Sequence, residues 1–534
     1  MRIVTTEQMI KLEKQAEILG VSHNQLMGRA GGKIAEHIRA LCASKRYIAE
    51  KASIVFLAGS GNNGGDCFAA ASLLAAEGYC CTVINLIREP STELSREYFG
   101  KLPKNVKIIK GFRSENASDD TSFDFTSLRE AVISADILID GVFGTGFRNN
   151  LSNDIMEIFS IESNAYRLAV DIPSGGNAST GTVSPCTFMA DETICLGCLK
   201  FGMTQYPLRK HCGKITVADI GIPPQAFDCL NGERRYCRLD RDELAGFPQK
   251  RDEASHKGSF GTVLIICGSS SMRGAAAFAA LGALRSGVGL VKIASVGKCI
   301  DTVSILAPEA TYIEIDSDND GFMVFNSATS EKLLKAMEKS TAVVIGSGMG
   351  VTENTLEILR FVLTNTNCPV IIDADGINCI ACDIEILMNR KSEVILTPHA
   401  GEMARLMNVT ATTVNENRAD IAEAFAEKYG VTVVLKGAGT VISDKSRTAA
   451  NHTGNSGMSR GGSGDILAGI TAAISAQGFS PYEAACAGAY LHGLAGDAAA
   501  SRYGQEAMLP RDIIDCLSDA FGSLKTGTRA EFRI

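Results

Sequence analysis

A glycine-rich segment from Arg460 to Asp465 (Arg-Gly-Gly-Ser-Gly-Asp) has residue types suited to phosphate chemistry. Consecutive glycines before a helix leave backbone N–H groups available to an anion, and the helix dipole favours negative charge there. The carboxylate of Asp465 can then take the proton of a hydroxyl that attacks a phosphoryl group. Asp465 is therefore the candidate catalytic residue; the alternative is that it only caps a helix.

A second glycine-rich segment, Gly59 to Asp66, follows an apolar run and precedes a helical pattern. Read as GxGxxG, it is a weak signature of a dinucleotide site, in which glycines let the backbone approach a pyrophosphate. The usual acidic partner is unconvincing, because Glu89 at the right spacing directly follows Arg88. The paired asparagines and Asp66 exceed what a turn requires, although Asp66 also suits a helix cap.

Two further strand candidates in the first half end in an aspartate followed by a glycine-containing turn. Asp140 precedes Gly-Val-Phe-Gly-Thr-Gly, and Asp171 precedes Ile-Pro-Ser-Gly. In open α/β sheets, ligands bind in the crevice outside the carboxyl ends of the strands. Each segment alone suits a capped turn, but three such strand ends on one sheet edge predict a binding site.

Three strand ends in the second half support a nucleotide site there. They are Gly346–Gly350, Thr397–Glu402 and Lys436–Thr440. The last follows a strand and suits a base, ribose or phosphate, but lacks the Gly-Lys-Ser/Thr of a P-loop. His399, between a proline and Ala-Gly at a strand end, is either a ligand contact or a structural residue.

Short β-rich runs alternate with helical patterns along the chain, which predicts parallel sheets covered by helices. Residues 225–256 are charged and irregular with no clear strand, and read as a linker between two domains, 1–225 and 236–534. Helices are predicted at Asp66–Glu77 and Asp465–Ala476, among others. The predicted strands are Ser53–Ala58, Cys81–Leu86, Val106–Ile109, Ile137–Ile139, Leu168–Val170, Ile215–Val217, Thr262–Ile266, Leu290–Ile293, Ala342–Ile345, Val370–Ile372, Val394–Leu396 and Val431–Leu435.

Composition restricts the class of protein. The 534 residues carry a net charge of −8 and no tryptophan, which argues against nucleic-acid or membrane partners. Seventeen scattered cysteines, with no secretory signal or long apolar run, favour the reduced cytoplasm. The pairs Cys195/Cys198 and Cys379/Cys382 lack further zinc ligands and are expected to be buried thiols. A homo-oligomer is expected from the size and class of the chain.

The segments Gly59–Asp66, Asp140–Gly146 and Val170–Gly175 together resemble the NAD(P)H-hydrate epimerases. The resemblance covers residues 1–225, including Lys200, and implies a Rossmann-like three-layer αβα domain. It implies a potassium ion held by oxygen ligands, from Asn63, Asp140 and Ser174. It also implies that the hydrated dinucleotide is bound by Asn62, Asn63, Gly64, Gly65, Asp66, Gly144, Thr145, Gly146, Phe147, Arg148, Asn149, Asn150 and Asp171.

The second half resembles the ribokinase-like superfamily and, more narrowly, the NAD(P)H-hydrate dehydratases. The matching segments lie within about residues 236–520 and include His256–Gly258, Gly346–Gly350, Thr397–Glu402, Lys436–Thr440 and Gly461–Asp465. The resemblance implies a second three-layer αβα domain that uses ADP as phosphate donor, with Mg²⁺. The implied dinucleotide contacts are Ala275, Gly348, His399 and Asp465, and the implied ADP or ATP contacts are Lys436, Gly437, Ala438, Gly439, Thr440 and Gly464.

Both halves thus point to one substrate, NADH or NADPH that has added water at C6 of its nicotinamide ring. We expect the first domain to interconvert the R and S epimers, with Lys200 and Asp171 as candidate acid and base. We expect the second domain to phosphorylate the S epimer and eliminate phosphate. The rival interpretations are an NAD-dependent dehydrogenase, a vitamin or sugar kinase with a regulatory first domain, and a nucleotide-binding sensor.

Overall fold

The computed structural model describes residues 3–45, 47–48, 50–111, 125–148, 150–244 and 246–526. The chain divides into two compact units, Met1–Tyr236 and Cys237–Ile534. Each unit is built on a mainly parallel sheet with helices packed against it, so the predicted α/β class is confirmed. No helix in the described ranges is both long enough and apolar enough to span a membrane.

The first unit contains one large sheet and three short strands outside that sheet, the last of which extends past Tyr236. Its strands are β1 (Ile3–Val4), β2 (Ser53–Ala58), β3 (Cys80–Leu86), β4 (Lys107–Gly111), β5 (Ile137–Gly141), β6 (Tyr166–Val170), β7 (Glu192–Leu196), β8 (Leu199–Lys200), β9 (Lys214–Ala218) and β10 (Arg235–Arg238). Its helices are α1 (Thr6–Ile18), α2 (His23–Lys45), α3 (Asn62–Ala76), α4 (Glu93–Gly100), α5 (Phe125–Ile133), α6 (Asn153–Phe159) and α7 (Leu208–His211).

The large sheet of this unit has the strand order β4-β3-β2-β5-β6-β7-β9, with every neighbouring pair parallel. Alternate side chains of β2 enter two separate cores. Ile54 and Phe56 pack with α1, α2 and α3, whereas Val55 and Leu57 pack with α5 and α6. A sheet with both faces covered is the arrangement expected of parallel strands. The order reverses between β2 and β5, where a ligand crevice is expected.

The second unit has a sheet that starts parallel and ends antiparallel. Its strands are β11 (Thr262–Ile266), β12 (Leu290–Val296), β13 (Thr311–Ile315), β14 (Ala342–Ile345), β15 (Val370–Ile372), β16 (Val394–Leu396), β17 (Thr432–Leu435), β18 (Thr440–Ser443) and β19 (Arg447–Asn451). Its helices are α8 (Arg273–Arg285), α9 (Gly297–Leu306), α10 (Ser327–Met337), α11 (Glu353–Asn365), α12 (Asp375–Cys382), α13 (Ala400–Met407), α14 (Ala411–Glu416), α15 (Arg418–Tyr429), α16 (Ser463–Ala476), α17 (Pro481–Tyr503), α18 (Pro510–Asp515) and α19 (Leu517–Thr526).

The strands from β13 to β17 follow the order β13-β12-β11-β14-β15-β16-β17 and are parallel. β18 and β19 continue the sheet in antiparallel pairs. The order reverses between β11 and β14, so the segments after these two strands flank the second expected crevice. Helices α8 and α16 pack on each other and on the central strands, which fixes the glycine-rich start of α16 at that edge.

Several predicted boundaries need correction. The strand predicted at Val106–Ile109 lies at Lys107–Gly111, and the segment taken as a strandless linker contains β10, which pairs with β1 through Tyr236 and Ile3. Helix α3 begins at Asn62 rather than Asp66. All seventeen cysteines are free, and Cys382 is exposed, although it was expected to be buried.

Candidate active sites

The first unit has a cleft of about 590 Å³ beside the crossover of β2 and β5. The turns after these two strands form one wall, and residues of α1 and α2 form another. Predicted site residues that line the cleft are Asn62, Asn63, Asp66, Gly144, Thr145, Gly146, Phe147, Arg148, Asn150, Asp171 and Lys200. Asn149 lies outside the described residues. The structure therefore brings most of the predicted binding residues of this half to one cavity.

Two of the predicted glycines serve close packing. A Cβ added at Gly64 would lie 2.0 Å from the carbonyl oxygen of Gly59, and one at Gly65 would lie 2.8 Å from Cε of Met27. Neither glycine lines the cleft. They allow the first turns of α3 to lie directly on the preceding turn and on α2.

Asp66 is not a helix cap. The N-cap of α3 is Gly61, which makes no side-chain capping bond, and Asp66 lies on the buried side of the helix, facing the cleft. Burial raises the pKa of Asp66 well above its ordinary value, and the nearby carboxylates of Asp171 and Glu13 raise it further. The capping alternative for this aspartate is therefore wrong.

A buried ion pair joins Asp171 to Lys200 at the base of the cleft. Lys200 is 1% exposed, and its ammonium also donates to the carbonyl oxygen of Leu196 at 3.0 Å. Burial alone would lower the pKa of Lys200, but the Asp171 carboxylate outweighs burial and raises it. Asp171 has a φ of 67°, a left-handed conformation that is uncommon for a residue with a side chain. Strain held at a cleft is typical of functional sites.

Glu13 on α1 also faces this ion pair. Its carboxyl lines the cleft and makes no hydrogen bond to another described residue. Burial raises the pKa of Glu13, and the Asp171 carboxylate adds to the effect. Two carboxyl groups whose pKa values are raised by burial thus share one cavity with a charged ammonium.

Oxygen atoms converge behind the wall of the cleft, in what we call the oxygen cluster: Asp140, Ser174, Asn63 and the Phe143 carbonyl. The Asp140 carboxylate accepts hydrogen bonds from Ser174 Oγ at 2.6 Å and from the backbone N–H of Ser174 at 2.7 Å. The Asn63 amide donates to the carbonyl oxygens of Phe143 and Val170, at 2.9 and 3.2 Å. Burial raises the pKa of Asp140 to about 6 despite the bonds from Ser174. All three predicted potassium ligands therefore lie together.

The second unit gathers polar side chains at four successive strand ends. Asp373 follows β15 and is 1% exposed; its carboxylate accepts from Lys436 after β17 at 2.7 Å and from Thr397 after β16 at 2.7 Å. Ser347, after β14, donates to the same carboxylate at 3.2 Å. Burial would raise the pKa of Asp373, but Lys436 outweighs it and lowers the pKa. The four residues form one buried network.

Asp465 lies over this network. The N-cap of α16 is Gly462, with no side-chain capping bond, so the alternative that Asp465 only caps the helix is wrong. Burial raises the pKa of Asp465 to about 7, and the Asp373 carboxylate contributes to the rise. A Cβ added at Gly464 would lie 3.2 Å from Lys436 Nζ, so the glycine-rich turn and the lysine are in contact. A carboxylate with a pKa near 7 is well matched to general-base catalysis at neutral pH.

The turns after β11 and β14 bring together two more predicted residues. A Cβ added at Gly348 would lie 2.9 Å from the Cβ of Ala275 at the start of α8. Gly348 has a φ of 69° and also approaches the backbone of Met272. The absence of a side chain at Gly348 therefore lets the two turns pack closely at the crossover.

His399 has a structural role in addition to its predicted one. Its Nδ1 accepts from the backbone N–H groups of Gly401 and Glu402 at 3.0 and 3.2 Å and so caps α13. Its side chain is 55% exposed, with Nε2 3.3 Å from the Glu402 carboxylate. Glu402 in turn is 3.9 Å from Lys436, which connects the histidine to the Asp373 network.

Sequence reasoning did not single out Glu13, Asp373 or Glu402 as site residues, although Glu402 ends the segment Thr397–Glu402 that was expected to support a nucleotide site. Asp373 and Glu402 had a detectable signal, because both lie within polar segments that follow β-rich runs. Glu13 had none, since its helix was not predicted. Within the described ranges, no group of three or more His, Cys, Asp or Glu side chains is arranged to hold a metal ion.

Comparisons with known proteins match both units. The model of the family described as NAD(P)H-hydrate dehydratase matches residues 263–519, and that of the YjeF-related protein N-terminus matches residues 23–202. The bifunctional NAD(P)H-hydrate repair enzyme Nnr of Moorella thermoacetica is 32% identical over 97% of this chain and 96% of its own length. The enzyme of that name from Escherichia coli is 31% identical over 94% of this chain and 90% of its own.

One solved structure is similar to about half of the chain. The ADP/ATP-dependent NAD(P)H-hydrate dehydratase of Bacillus subtilis, co-crystallized with ATP and Mg²⁺, is 31% identical, with a TM-score of 0.47 over 54% of this chain and 98% of its own. The full-length matches decide the relationship, because they span both units and both candidate sites. The chain therefore belongs to the family of bifunctional NAD(P)H-hydrate repair enzymes.

Proposed function

We propose that this protein returns hydrated NADH and NADPH to their active forms in two steps. The domain at residues 1–225 interconverts the R and S epimers, and the domain at 236–534 dehydrates the S epimer with ADP as phosphate donor. The observation that carries the proposal is the buried Asp465 carboxylate at a glycine-rich helix start, with a second carboxylate-lined cleft in the other unit. Family membership agrees with two activities in one chain.

In the first domain, the cleft residues hold the hydrated dinucleotide. The turn at Gly144–Asn150 and the start of α3 at Asn62–Asp66 supply backbone and amide groups for the phosphates and ribose. Asp171 lies deeper, beside Lys200, where the nicotinamide ring would bind. This placement is supported by the cleft lining, which contains most of these residues.

Epimerisation requires the C6–O bond to break and re-form on the opposite face. We propose that a protonated carboxyl group donates its proton to the C6 hydroxyl, which leaves as water while the ring nitrogen stabilises the cation. Water then adds to the other face and returns a proton to the carboxylate. Glu13 and Asp66 suit the donor role because burial raises the pKa of each. Lys200, held charged by Asp171, is unsuited to be the base and instead orients Asp171.

The oxygen cluster fits a potassium ion. Its donors are a carboxylate, a hydroxyl, an amide and a carbonyl, which are ligands preferred by hard cations. A cation would also favour the charged form of Asp140, which burial disfavours. Bound potassium would supply a fixed positive charge behind the turn at Val142–Gly146. Asn63, Asp140 and Ser174 would hold it.

In the second domain, Asp465 takes the proton of the C6 hydroxyl as that oxygen attacks the terminal phosphoryl group of ADP. AMP leaves, and loss of phosphate from C6 together with a proton from C5 restores the double bond of the dihydropyridine ring. Ala275, Gly348 and His399 would face the dinucleotide. Gly464 and the Lys436–Thr440 turn would face ADP or ATP, which is supported by the contact between Gly464 and Lys436.

Magnesium fits this site as part of the nucleotide complex. The carboxylate of Asp373 already accepts hydrogen bonds from Lys436, Thr397 and Ser347. The carboxylate of Glu402 accepts a hydrogen bond from the backbone N–H of His399 at 2.8 Å. A protein-only Mg²⁺ cage is therefore not present in the described residues. Mg²⁺ commonly binds through substrate phosphates with few protein ligands. It would neutralise charge on the transferred phosphoryl group.

The decisive experiment mixes the purified protein with hydrated NADH and follows the return of the reduced-nicotinamide absorbance. ADP and ATP are supplied in separate reactions, and release of free phosphate is measured alongside. We expect recovery of both epimers with ADP. Recovery of the S epimer alone would contradict the epimerase assignment. No recovery with either nucleotide would remove the dehydratase assignment, and a stable phosphorylated product would indicate a kinase.

A further inference from the structure

Arg418 at the start of α15 is a buried cation that has no acidic partner among the residues the structure describes. The residue is 6% exposed. One guanidinium nitrogen donates to the Leu435 carbonyl oxygen at 2.7 Å and the other to Asn415 Oδ1 at 3.4 Å, while Nε is buried with no hydrogen-bond partner. Among the described residues no carboxylate forms an ion pair with Arg418, and burial lowers its pKa to about 10.

The other deeply buried cations of this chain that we have described are neutralised. Lys200 is paired with Asp171, and Lys436 with Asp373. A buried charge without a counter-ion is unfavourable, so it is expected where an external anion completes the pair. This contrast makes Arg418 unusual within the molecule.

The guanidinium group of Arg418 lies directly beneath the turn that joins β17 to β18. A Cβ added at Gly437 would lie 2.9 Å from both of its terminal nitrogens. The opposite side of this turn is open, because Gly437 and Ala438 are exposed. One face of the turn therefore contacts the cation and the other is free to contact a ligand.

The charges around the turn explain why this cation is needed. Asp373, Glu402 and Asp465 contribute three carboxylates, and Lys436 is the ammonium that lies among them. Lys436 and Asp373 cancel each other, so this set of residues offers an anionic ligand no excess positive charge, whatever the protonation states of Glu402 and Asp465. Arg460 is exposed, where solvent and salt weaken its field.

We infer that Arg418 is the positive charge that makes the Lys436–Thr440 turn bind the phosphate groups of a nucleotide. The inference rests on the proposed function of the second domain. Arg418 acts through the backbone of Gly437, whose close approach to the guanidinium lets the field of the buried charge reach the ligand with little screening. It is a positioning residue and has no direct part in the chemistry.

The test compares ADP with adenosine, which has the same base and ribose but no phosphate. Dissociation constants are measured by calorimetry on the full-length protein and on Arg418→Gln and Arg418→Lys. Arg390→Gln is the matched control, because Arg390 is partly buried and also donates to backbone carbonyls, those of Leu387 and Gly430, away from the turn. We expect Arg418→Gln to weaken ADP binding by about 10-fold or more, or about 1.4 kcal/mol, and adenosine binding by less than about 2-fold.

Each outcome decides the inference. Arg418→Lys keeps the positive charge and should therefore keep most of the preference for ADP over adenosine. If Arg418→Gln does not fold, Arg418→Lys serves as the test in its place. Equal weakening of ADP and adenosine, or loss of the preference in the lysine variant, would show that Arg418 only supports the fold. No weakening of ADP binding would also overturn the inference. If the wild type regenerates NADH with ADP, these results leave the proposed function standing; if it binds no ADP, both fall.

Discussion

Replacing Asp465 with asparagine tests the proposed base while preserving the shape of the side chain. The substitution removes the acceptor for the C6 hydroxyl proton, and loss of a general base costs about 10²–10⁴-fold in rate. The glycine N–H groups at the start of α16 remain, so ADP should still bind. Epimerisation should be unchanged, because its cleft is formed entirely by the first unit.

The same substitution has a calculable effect on stability. Burial raises the pKa of Asp465 from an ordinary 3.8 to about 7, which corresponds to an unfavourable contribution of at most about 4 kcal/mol when the group is charged. The folded protein holds this proton more tightly than the unfolded chain does. The contribution is therefore absent below about pH 4, grows between about pH 4 and 7, and is constant above that range. Asp465→Asn should be more stable than the wild type at about pH 8 and equally stable near pH 4.

The assay measures NADH recovery from the S epimer, R-to-S equilibration, and denaturant unfolding at both pH values. The unfolding transition that ADP shifts identifies the second unit. Asp512→Asn is the control, because the Asp512 carboxylate does cap its helix, accepting from the Leu509 N–H at 2.7 Å. That variant should lose stability and keep its dehydration rate. Dehydration by Asp465→Asn within tenfold of the wild type would refute the assignment of the base.

Three further predictions concern the first unit. Replacing potassium with tetramethylammonium should slow epimerisation and spare dehydration of the pure S epimer; equal loss of both would place the ion outside the oxygen cluster. Glu13→Gln should slow epimerisation by about 100-fold. The control Glu36→Gln, on the exposed face of α2, should leave the rate unchanged. An unchanged rate for Glu13→Gln would show that another group donates the proton. Lys200→Met leaves the Asp171 carboxylate buried without its partner. Denaturant unfolding should show that this substitution lowers the unfolding free energy of the first unit by about 3–5 kcal/mol. A decrease of less than about 1 kcal/mol would contradict the buried ion pair.

The sequence predicted best where a local pattern and the tertiary structure agree. β2, β11, β14, β15 and β16 have the predicted bounds, because continuous apolar runs suit strands that are covered on both faces. The residues that follow such strands reach a common sheet edge by topology alone. That is why Asp140 and Asp171 could be named as candidate site residues before their neighbours were known, whereas Asp465 was named from the glycine-rich segment at the start of its helix.

Prediction failed where packing overrides local preference. The segment Asn-Asn-Gly-Gly has low helix propensity and reads as a turn, yet it forms the first turn of α3. Its two glycines let this turn pack closely on Gly59 and Met27. Helix α2 was not predicted because Gly28, Gly31 and Gly32 interrupt its pattern. Glu13 was missed for a related reason, since only the packed helices bring α1 to the cleft.

The contact between α2 and α3 limits how the first site can change during evolution or design. A Cβ at Gly31 would lie 2.4 Å from the Cβ of Ala69, and a Cβ at Gly65 would lie 2.8 Å from Cε of Met27. The contact between α2 and α3 beside the cleft therefore has no spare volume, and substitutions there would force the helices apart. Ile87 and Leu94, which also line the cleft but lie outside this contact, are the positions where new substrate preferences can be selected without rebuilding the scaffold.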